Sequence, residues 1–402
     1  MKKSLLAVAV LGAFAGSALA ADVTLYGVVD TGLEYTYSKN KATNVKTHKF
    51  AEASGRQAGS RWGLKGVEDL GNGYSVGFIL ESGFNSDTGM GNTQLFNREA
   101  SLSVSGPFGK LMAGRMGAVT QGTSSVGLLS RVNAFGTSYG TYVANASNIL
   151  SAGAIRDNML TYITPKFAGF QVYAQYAMGG EGIENKSNRT KKYAQDAKTG
   201  LYYSTTNVSA DRYAALAATY ENGPLNLLFA VDRIFYGHDA GVDMDDSLTV
   251  TFGGNYDFGV VKVFGAAQYF DEVALGDAGY NQSKLGTLSP TTGAFVEGTG
   301  TVDGAAYKVK GYALTVSASA PVAGGSLLAS VGYKDAEQAD SMKDTKFDFK
   351  RIRATVGYSY PLSKRTNVYA AAGFGQDKTE PKGGQTVKVN SATALFGLRH
   401  NF

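Results

Sequence analysis

The residues of this chain that could carry out catalysis are few. The stretch Gly136–Gly140 (GTSYG) matches the five-residue pattern of a serine nucleophile elbow, which needs a sharp turn from a strand into a helix. Here the surroundings are a Gly/Ser-rich loop, and the three histidines of the chain, His48, His238 and His400, lie far from this serine in the sequence. We therefore predict that the protein is not an enzyme.

Metal-binding residues are equally scarce. Cysteine is absent, which excludes thiolate sites and disulfides, and the three histidines have no spacing typical of a tetrahedral site. Asp243, Asp245 and Asp246 form an acidic group, but the glycine and glutamate of a calcium loop are missing, which favours solvated surface charge. We predict no metal and no cofactor.

The first twenty residues predict an export signal. Two lysines precede an apolar run, Leu5–Phe14, and the segment closes on Ala18–Ala20, the order of regions in a cleaved secretory signal. Cleavage would leave residues 21–402 and lower the formal charge from +5 to +3 by removing the two lysines, which is too mild a charge to indicate a nucleic-acid partner. The apolar run is shorter than the roughly twenty residues of a membrane-spanning helix.

No later stretch offers eighteen apolar residues in a row, so any crossing of a membrane must use a closed β-barrel. Most of the chain indeed alternates apolar and polar residues with period two. Within Phe349–Tyr360, for example, Ile352 and Val356 lie on one face while Arg351 and Arg353 lie on the other. Such alternation is typical of strands with one apolar face.

The connections between these strands fall into two classes. Outer-membrane barrels have this asymmetry, with short periplasmic turns and longer external loops. The short connections are Leu70–Gly73, Gly106–Gly109, Glu221–Pro224 and Ala323–Gly325, and the long polar ones are near 37–55, 116–155, 179–210, 272–306 and 336–348.

About sixteen strand-like segments can be counted, a number typical of a barrel with a water-filled interior. The chain shows no linker, heptad or repeat, so residues 21–402 are expected to form a single all-β domain, a transmembrane antiparallel barrel. The segments begin near Val23, Gly59, Tyr74, Phe96, Lys110, Arg156, Phe170, Arg212, Leu225, Asp246, Val260, Val309, Ser326, Phe349, Asn367 and Ala392.

Several sequence blocks resemble the general trimeric porins of Gram-negative bacteria, of the β-proteobacterial type. Together they cover essentially the whole chain after the export signal, in one order. They are Val23–Gly27 (VTLYG), Ser60–Gly66 (SRWGLKG), Glu68–Gly71 (EDLG), Leu80–Phe84 (LESGF), Leu95–Arg98 (LFNR), Ala113–Arg115 (AGR), Tyr162–Phe170 (YITPKFAGF) and the terminal Phe402.

This resemblance implies an outer-membrane channel for passive diffusion of small hydrophilic solutes and ions. It also implies a homotrimer of sixteen-stranded barrels, a third external loop folded into the pore, and a C-terminal aromatic residue, Phe402, read by the barrel-assembly machinery. Outer-membrane lipid and lipopolysaccharide would surround such a barrel, and the basic residues Arg189, Lys191 and Lys192 are suited to an external loop that meets anionic lipopolysaccharide.

The inward loop corresponds to residues 116–155. Where the family often has Pro-Glu-Phe-Gly at the tip of this loop, the present chain has Asn133, Ala134, Phe135 and Gly136, so the glutamate is missing. No Asp or Glu occurs anywhere from 116 to 155, whereas Arg131 does.

The basic residues of the family's constriction correspond to Arg61 and Arg98, with Lys65 on the same strand face as Arg61 and Arg156 as a third candidate by position. Arg98 has the same parity as Ala100 and Leu102, so on a regular strand it would point outward. Glu81 can oppose these arginines, and Arg351 and Arg353 are expected to line the lumen. A ring of Arg and Lys with little acidic charge favours anions, so we predict an anion-preferring pore.

Three other interpretations stay open at this point. A substrate-specific outer-membrane channel would share the barrel and differ in its affinity for one solute. An adhesin or enzyme could use a barrel as its scaffold, although no extra domain or clustered triad is evident. An exported soluble β-sandwich would also show alternating strands.

Overall fold

The structure is a computed structural model that describes residues 23–91, 93–179, 190–195, 202–208, 211–236, 245–274, 278, 287–288, 295–296, 301–302, 305–306, 308–341, 347–381 and 386–402. The predicted export signal, residues 1–20, lies outside this range, as do His238, Asp243 and Arg189. No helix in the described ranges is long and apolar enough to cross a membrane.

Seventeen strand segments join into one antiparallel sheet. Two of them, Lys46–Ser54 and Arg61–Gly71, pair with successive parts of the same neighbour, Thr24–Asn40, so they form one strand with a break at 55–60 and the barrel has sixteen strands. The strands are β1 (Thr24–Asn40), β2 (Lys46–Ser54 and Arg61–Gly71), β3 (Tyr74–Gly83), β4 (Glu99–Gly106), β5 (Gly109–Gly117), β6 (Ile155–Ile163), β7 (Phe170–Ala177), β8 (Arg212–Asn222), β9 (Leu225–Phe235), β10 (Leu248–Asp257), β11 (Lys262–Ala274), β12 (Lys308–Val322), β13 (Gly325–Gln338), β14 (Phe347–Pro361), β15 (Thr366–Pro381) and β16 (Val387–Asn401).

The first strand closes the barrel by pairing with the last. The β1–β16 ladder runs from Val28 opposite Asn401 to Asn40 opposite Val389, and Gly27 and Phe402 exchange two further backbone hydrogen bonds of 3.2 and 3.1 Å. Closure leaves no free edge along this seam, which a barrel in lipid requires because hydrocarbon offers no hydrogen-bond partner.

The predicted strand starts lie within three residues of the observed ones at fourteen of the sixteen strands. The exceptions are β2, where the predicted start near Gly59 matches only its second segment at Arg61, and β16, which begins at Val387, five residues before Ala392. The long loop predicted near 37–55 is wrong. There β1 continues to Asn40 and β2 begins at Lys46, because alternating residues on both sides of the turn pair with each other. Two-stranded hairpins at 190–195 with 202–208, 287–288 with 295–296 and 301–302 with 305–306 lie within the long connections.

Side-chain burial follows the predicted alternation. In β12, Leu314 and Val316 are 47% and 57% exposed on the outer surface, whereas Ala313 and Thr315 between them are buried inside. Successive side chains on a strand point to opposite faces, so a polar interior and an apolar exterior need this period of two.

All four predicted short connections join neighbouring strands at one end of the barrel. Between β2 and β3, Asn72 and Gly73 both have positive φ, of 53° and 79°. Two such residues in succession make the turn whose twist matches a two-residue hairpin, which explains the Asn-Gly pair. The long connections lie at the other end.

The third connection at this end, residues 118–154, folds into the barrel. It contains a 3₁₀-helix, Leu129–Val132, and a short α-helix, Ala146–Ile149. Apolar side chains from both, among them Leu129, Val132 and Ile149, are fully buried against the inner wall. We call residues 118–154 the constriction loop.

The closure seam predicts an intolerance to side chains at Gly27. A Cβ atom there would lie 2.3 Å from Cζ of Phe402 and 2.6 Å from the carbonyl oxygen of Arg61. We expect Gly27→Ala to lower stability by roughly 1–3 kcal/mol through overpacking. The temperature at which the folded barrel loses its distinct migration on an SDS gel measures this loss.

Gly265→Ala is the matched control, since a Cβ at this outward-facing strand glycine would meet its nearest atom only at 3.7 Å. It should unfold close to the wild-type temperature. Equal effects of the two substitutions would show that the ring of Phe402 on Gly27 contributes nothing to the seam.

Candidate functional site

Arg61 and Lys65 point into the barrel from the second segment of β2. Arg61 pairs with Val28, which is buried on the inner face of β1, while the alternate residue Leu25 is 58% exposed outside. Lys65 is exposed to the interior, and its Nζ lies 5.1 Å from the ring centroid of Tyr26. The aromatic face stabilises the ammonium while leaving it open to solvent.

One carboxylate, that of Glu81 on β3, holds Arg61 and Arg98 together. Its Oε2 lies 3.3 Å from Nε of Arg61 and accepts a 3.0 Å hydrogen bond from the hydroxyl of Tyr26, while its Oε1 lies 2.6 Å from Nε of Arg98. Two guanidinium groups thus share one negative charge, and the cluster keeps a net charge of +1.

The inward direction of Arg98 has a local cause. Strand β4 begins at Glu99, so Arg98 precedes the pleated segment and the parity of Ala100 and Leu102 does not apply to it. Its Nη2 donates a 3.3 Å hydrogen bond to the carbonyl of Thr123 in the constriction loop. Arg98 therefore links the wall to the loop.

Arg156 lies between the wall and the constriction loop. Its guanidinium stands 4.7 Å from the ring centroid of Tyr213, and its Nε is buried with no hydrogen-bond partner in the described part of the protein. A small cavity of about 20 Å³ beside it is lined by Ser151–Ala154 and Tyr213. The loop thus covers much of this side chain.

Arg131 in the 3₁₀-helix faces a different wall from Arg61 and Arg98. Its Nη1 lies 2.6 Å from Oε1 of Glu221 at the short-turn end of β8, and Nζ of Lys166 lies 2.5 Å from Oε2 of the same carboxylate. This second cluster again pairs two cations with one anion, and its three side chains are all about one-third to one-half exposed.

We call the part of the barrel wall that carries Arg61, Lys65 and Arg98 the basic wall. The segment Asn133–Gly136 does not project towards it. Asn133 and Phe135 are each 2% exposed, and Nδ2 of Asn133 donates to Thr315 Oγ1 and Ser330 Oγ at 2.9 and 3.1 Å. Ala134 and Gly136 flank them in the same anchored turn. The expected tip is therefore an anchor of the loop on β12 and β13.

The expectation that Arg351 and Arg353 line the open lumen is wrong. Both point inward, but they are 6% and 2% exposed because the constriction loop covers them. They ion-pair with Asp377 at 2.8 and 2.9 Å, and Nη1 of Arg351 donates to the carbonyl of Asn148 at 3.0 Å. These arginines hold the loop to the wall.

Two inward-facing groups were not assigned to the site from the sequence. Arg399 lies on the inner face of β16 opposite Asp30, its guanidinium donates to Asn401 Oδ1, and no carboxylate of the described residues lies within ion-pair distance of it. Its parity with Thr393 and Asn401 was the available signal. The second group, the break at 55–60 that turns Arg56 and Gln57 inward, has no periodic signature in the sequence.

The charges around the basic wall are sorted by exposure. Asp30 and Glu99 are buried at 0% and 3%, and Glu99 accepts hydrogen bonds from Ser101 and Ser125. The four cations reach the interior surface to a greater extent. Arg61, Lys65, Arg98 and Arg399 against Asp30, Glu81 and Glu99 give a net charge of +1, with the acids set behind the bases.

The sequence profile described as Gram-negative porin matches residues 7–380 of the chain. An outer membrane porin protein of Bordetella pertussis is 33% identical, and outer membrane porin protein 32 of Delftia acidovorans is 31% identical, with each alignment covering 100% of both chains.

Solved structures of similar fold include the anion-selective porin from Comamonas acidovorans, with a TM-score of 0.63, 24% identity, and coverage of 95% of this chain and 100% of that one. The trimer form of in-vitro folded OmpT of Vibrio cholerae gives a TM-score of 0.56 and 16% identity, with coverage of 95% and 100%.

The pair of buried arginines predicts a large stability cost at Asp377. In Asp377→Asn, Arg351 and Arg353 lose their shared countercharge while remaining buried under the loop. We expect the free energy of unfolding to fall by roughly 3 kcal/mol. This value is the lower end of the range for breaking a buried ion pair, and we choose it because the Asp377 side chain is 32% exposed. Urea unfolding monitored by circular dichroism gives the midpoint.

Asp340→Asn serves as control, since this carboxylate is 87% exposed where it pairs with Lys310. Its unfolding midpoint should stay near that of the wild type. If Asp377→Asn unfolded at the same urea concentration as Asp340→Asn, the buried cluster would have no role in holding the loop.

Proposed function

The chain belongs to the Gram-negative porin family, and from this premise we propose that its channel prefers anions. The protein is an outer-membrane β-barrel of a Gram-negative bacterium and forms a diffusion channel rather than an enzyme. The closed barrel also excludes the soluble β-sandwich considered from the sequence.

One observation carries the proposal: cations reach the interior surface, whereas most of the opposing carboxylates lie behind them. Lys65 and Arg399 have no carboxylate within ion-pair distance among the described residues, and Arg61 with Arg98 shares the single charge of Glu81. In a narrow aqueous passage with low-dielectric walls, such an excess focuses the field and enriches anions.

We assign the constriction to this wall, with Arg61, Lys65, Arg98 and Glu81 at its centre and Arg399 towards the short-turn end. Arg156 and Arg131 contribute from the sides, and Arg131 acts together with Lys166 and Glu221. Residues Asn133–Gly136 shape the passage indirectly, by fixing the loop.

The size of the effect can be approximated. A unit charge about 7 Å from a passing ion is worth about 0.3 kcal/mol in 0.1 M salt, given the dielectric constant of water and a Debye length of about 10 Å. This energy has opposite signs for an anion and a cation, so one charge changes the permeability ratio roughly threefold.

The proposal extends to assembly. Three copies would form the functional unit, residues 1–20 would direct export and be removed, and Phe402, which pairs with Gly27 at the closure seam, would serve as the assembly signal. The trimer form recorded for the structurally similar OmpT supports the first of these points.

A substrate-specific channel is the second candidate within this family. It would differ from a general diffusion channel by high affinity for one solute, such as a sugar or a small acid. Block of conductance by a low concentration of that solute would favour it, whereas block only at high concentration supports general diffusion.

Selectivity of the native channel is the direct test. In a planar bilayer with a KCl gradient, we expect the reversal potential to give a chloride-to-potassium permeability ratio of roughly three to ten. The ratio should shrink at 1 M salt, where the Debye length is about 3 Å. A reversal potential of cation-selective sign would overturn the proposal.

Charge changes at Glu81 and at Arg98 should shift the ion selectivity in opposite directions. Glu81→Gln removes the negative charge between Arg61 and Arg98, and we expect the anion preference to rise roughly threefold. Arg98→Glu should shift it towards cations by a larger factor, because two charge units change. The control Glu68→Gln, at the exposed short-turn end, should have a smaller effect, and equal shifts at 68 and 81 would remove Glu81 from the constriction.

A further inference from the structure

Strand β2 is interrupted at residues 55–60. Hydrogen-bonded pairing with β1 stops at Ser54 and resumes at Arg61, and the residues between them turn into the barrel. We call these six residues the strand-2 break.

Asp30 holds the strand-2 break in place. Its side chain is fully buried, and its Oδ2 accepts hydrogen bonds from the backbone N–H groups of Gln57 and Ala58 at 2.8 and 2.6 Å. Its Oδ1 accepts a 2.5 Å hydrogen bond from the hydroxyl of Tyr369. A carboxylate accepting several donors makes strong, directional contacts, so one side chain fixes the path of the break.

The strand-2 break in turn holds the constriction loop. The carbonyl of Arg56 accepts a hydrogen bond from the backbone N–H of Tyr139. Nε2 of Gln57 donates a 2.7 Å hydrogen bond to the hydroxyl of the same tyrosine. Oε1 of Gln57 also accepts a 2.8 Å hydrogen bond from Asn367 on β15. Arg56 itself ion-pairs with Glu34 at 2.6 Å.

A chain of contacts connects the strand-2 break, the basic wall and the constriction loop. Arg61 Nη1 donates to the carbonyl of Gly59 at 2.9 Å, and Arg98 donates to Thr123 in the loop. Within the loop, Gly122 packs so closely on Thr137 that an added Cβ would lie 2.1 Å from it. Thr137 stands two residues before Tyr139, where the break makes its contact.

We propose that the strand-2 break is a latch that fixes the constriction loop relative to the basic wall and so sets the width of the passage, with Asp30 as its positioning residue. The inference rests on the proposal that this wall bounds the passage. It is independent of the sign of ion preferred, since it concerns width and motion rather than charge.

The latch adds hydrogen bonds from β2 to a loop that is also anchored on other strands of the wall. Gln175 and Gln268 fix the two ends of the loop at Val119 and Ser151, and Asn133 fixes its middle on β12 and β13. The turn at Tyr139 extends beyond these anchors towards β1 and β2, and its ring packs on Tyr369 of β15 with the ring centroids 5.6 Å apart. Without the break, that turn would lose its contacts to Arg56 and Gln57.

Two variants test the latch. Gln57→Ala removes the side-chain contact to Tyr139. Asp30→Asn keeps the shape of the side chain but removes its charge and leaves one acceptor oxygen instead of two, which weakens the hydrogen bonds from the backbone N–H groups of Gln57 and Ala58. Since conduction depends on pore diameter, we expect a single-channel conductance raised roughly 1.5-fold, excess open-channel noise, and entry of larger neutral sugars in liposome swelling. If Asp30→Asn does not fold, Gln57→Ala alone decides the test.

Gln376→Ala is the matched control, because Gln376 pairs with Asn390 on β16 without touching the loop. Its conductance and noise should equal those of the wild type. Gln57→Ala could instead lower the thermal stability and leave conductance, noise and sugar cut-off unchanged. That result would overturn the latch, because the break would then have a purely structural role.

A covalent bridge provides the rescue, since the chain has no native cysteine. In the double variant Gln57→Cys and Tyr139→Cys, a short bismaleimide should return raised noise and conductance to wild-type values. Complete bridging by mass spectrometry without such a return would contradict the latch. Reversal potentials from the same channels report the anion preference separately, so failure of one proposal is distinguishable from failure of the other.

Discussion

In hydrocarbon, an unpaired backbone N–H or C=O group costs several kcal/mol, and this constraint shapes the whole molecule. Sixteen antiparallel strands satisfy it along their length, and the seam between β1 and β16 completes the circle. At the end of that seam, Gly27 leaves room for the ring of Phe402, so the terminal residue also takes part in closure. Everything that distinguishes this channel is then built on the inner face, where water and polar side chains are allowed.

Because the wall uses its backbone groups in the ladder, the constriction loop is held largely by wall side chains. Gln175 accepts from the N–H of Val119 and donates to the carbonyl of Gly117, and Gln268 does the same with both backbone groups of Ser151. Each amide thus replaces the partner that a neighbouring strand would supply. A segment without regular structure can then stay buried in the barrel, since its polar groups are paired.

Charge follows the same division between anchoring and function. Arg351 and Arg353 lie under the loop with Asp377, where their role is to hold it. Arg61 and Arg98 share Glu81 at the interior surface and keep an excess positive charge. One carboxylate holds two guanidinium groups close together but neutralises only one of their two positive charges. A passing ion therefore meets the remaining positive charge.

The sequence by itself determined the number of strands, the short turns and the inward or outward face of most residues, because a period of two and a turn such as Asn72–Gly73 depend on neighbouring residues alone. Tertiary structure decided what meets inside the barrel. Gln57 hydrogen-bonds Asn367 across 310 residues of sequence, and no local pattern reports such a contact. Arg98 points inward because its strand begins only at the next residue, Glu99. Asn133 is an anchor because the loop runs along the wall. Contacts across a closed barrel depend on strand register and loop path, which only the assembled fold defines.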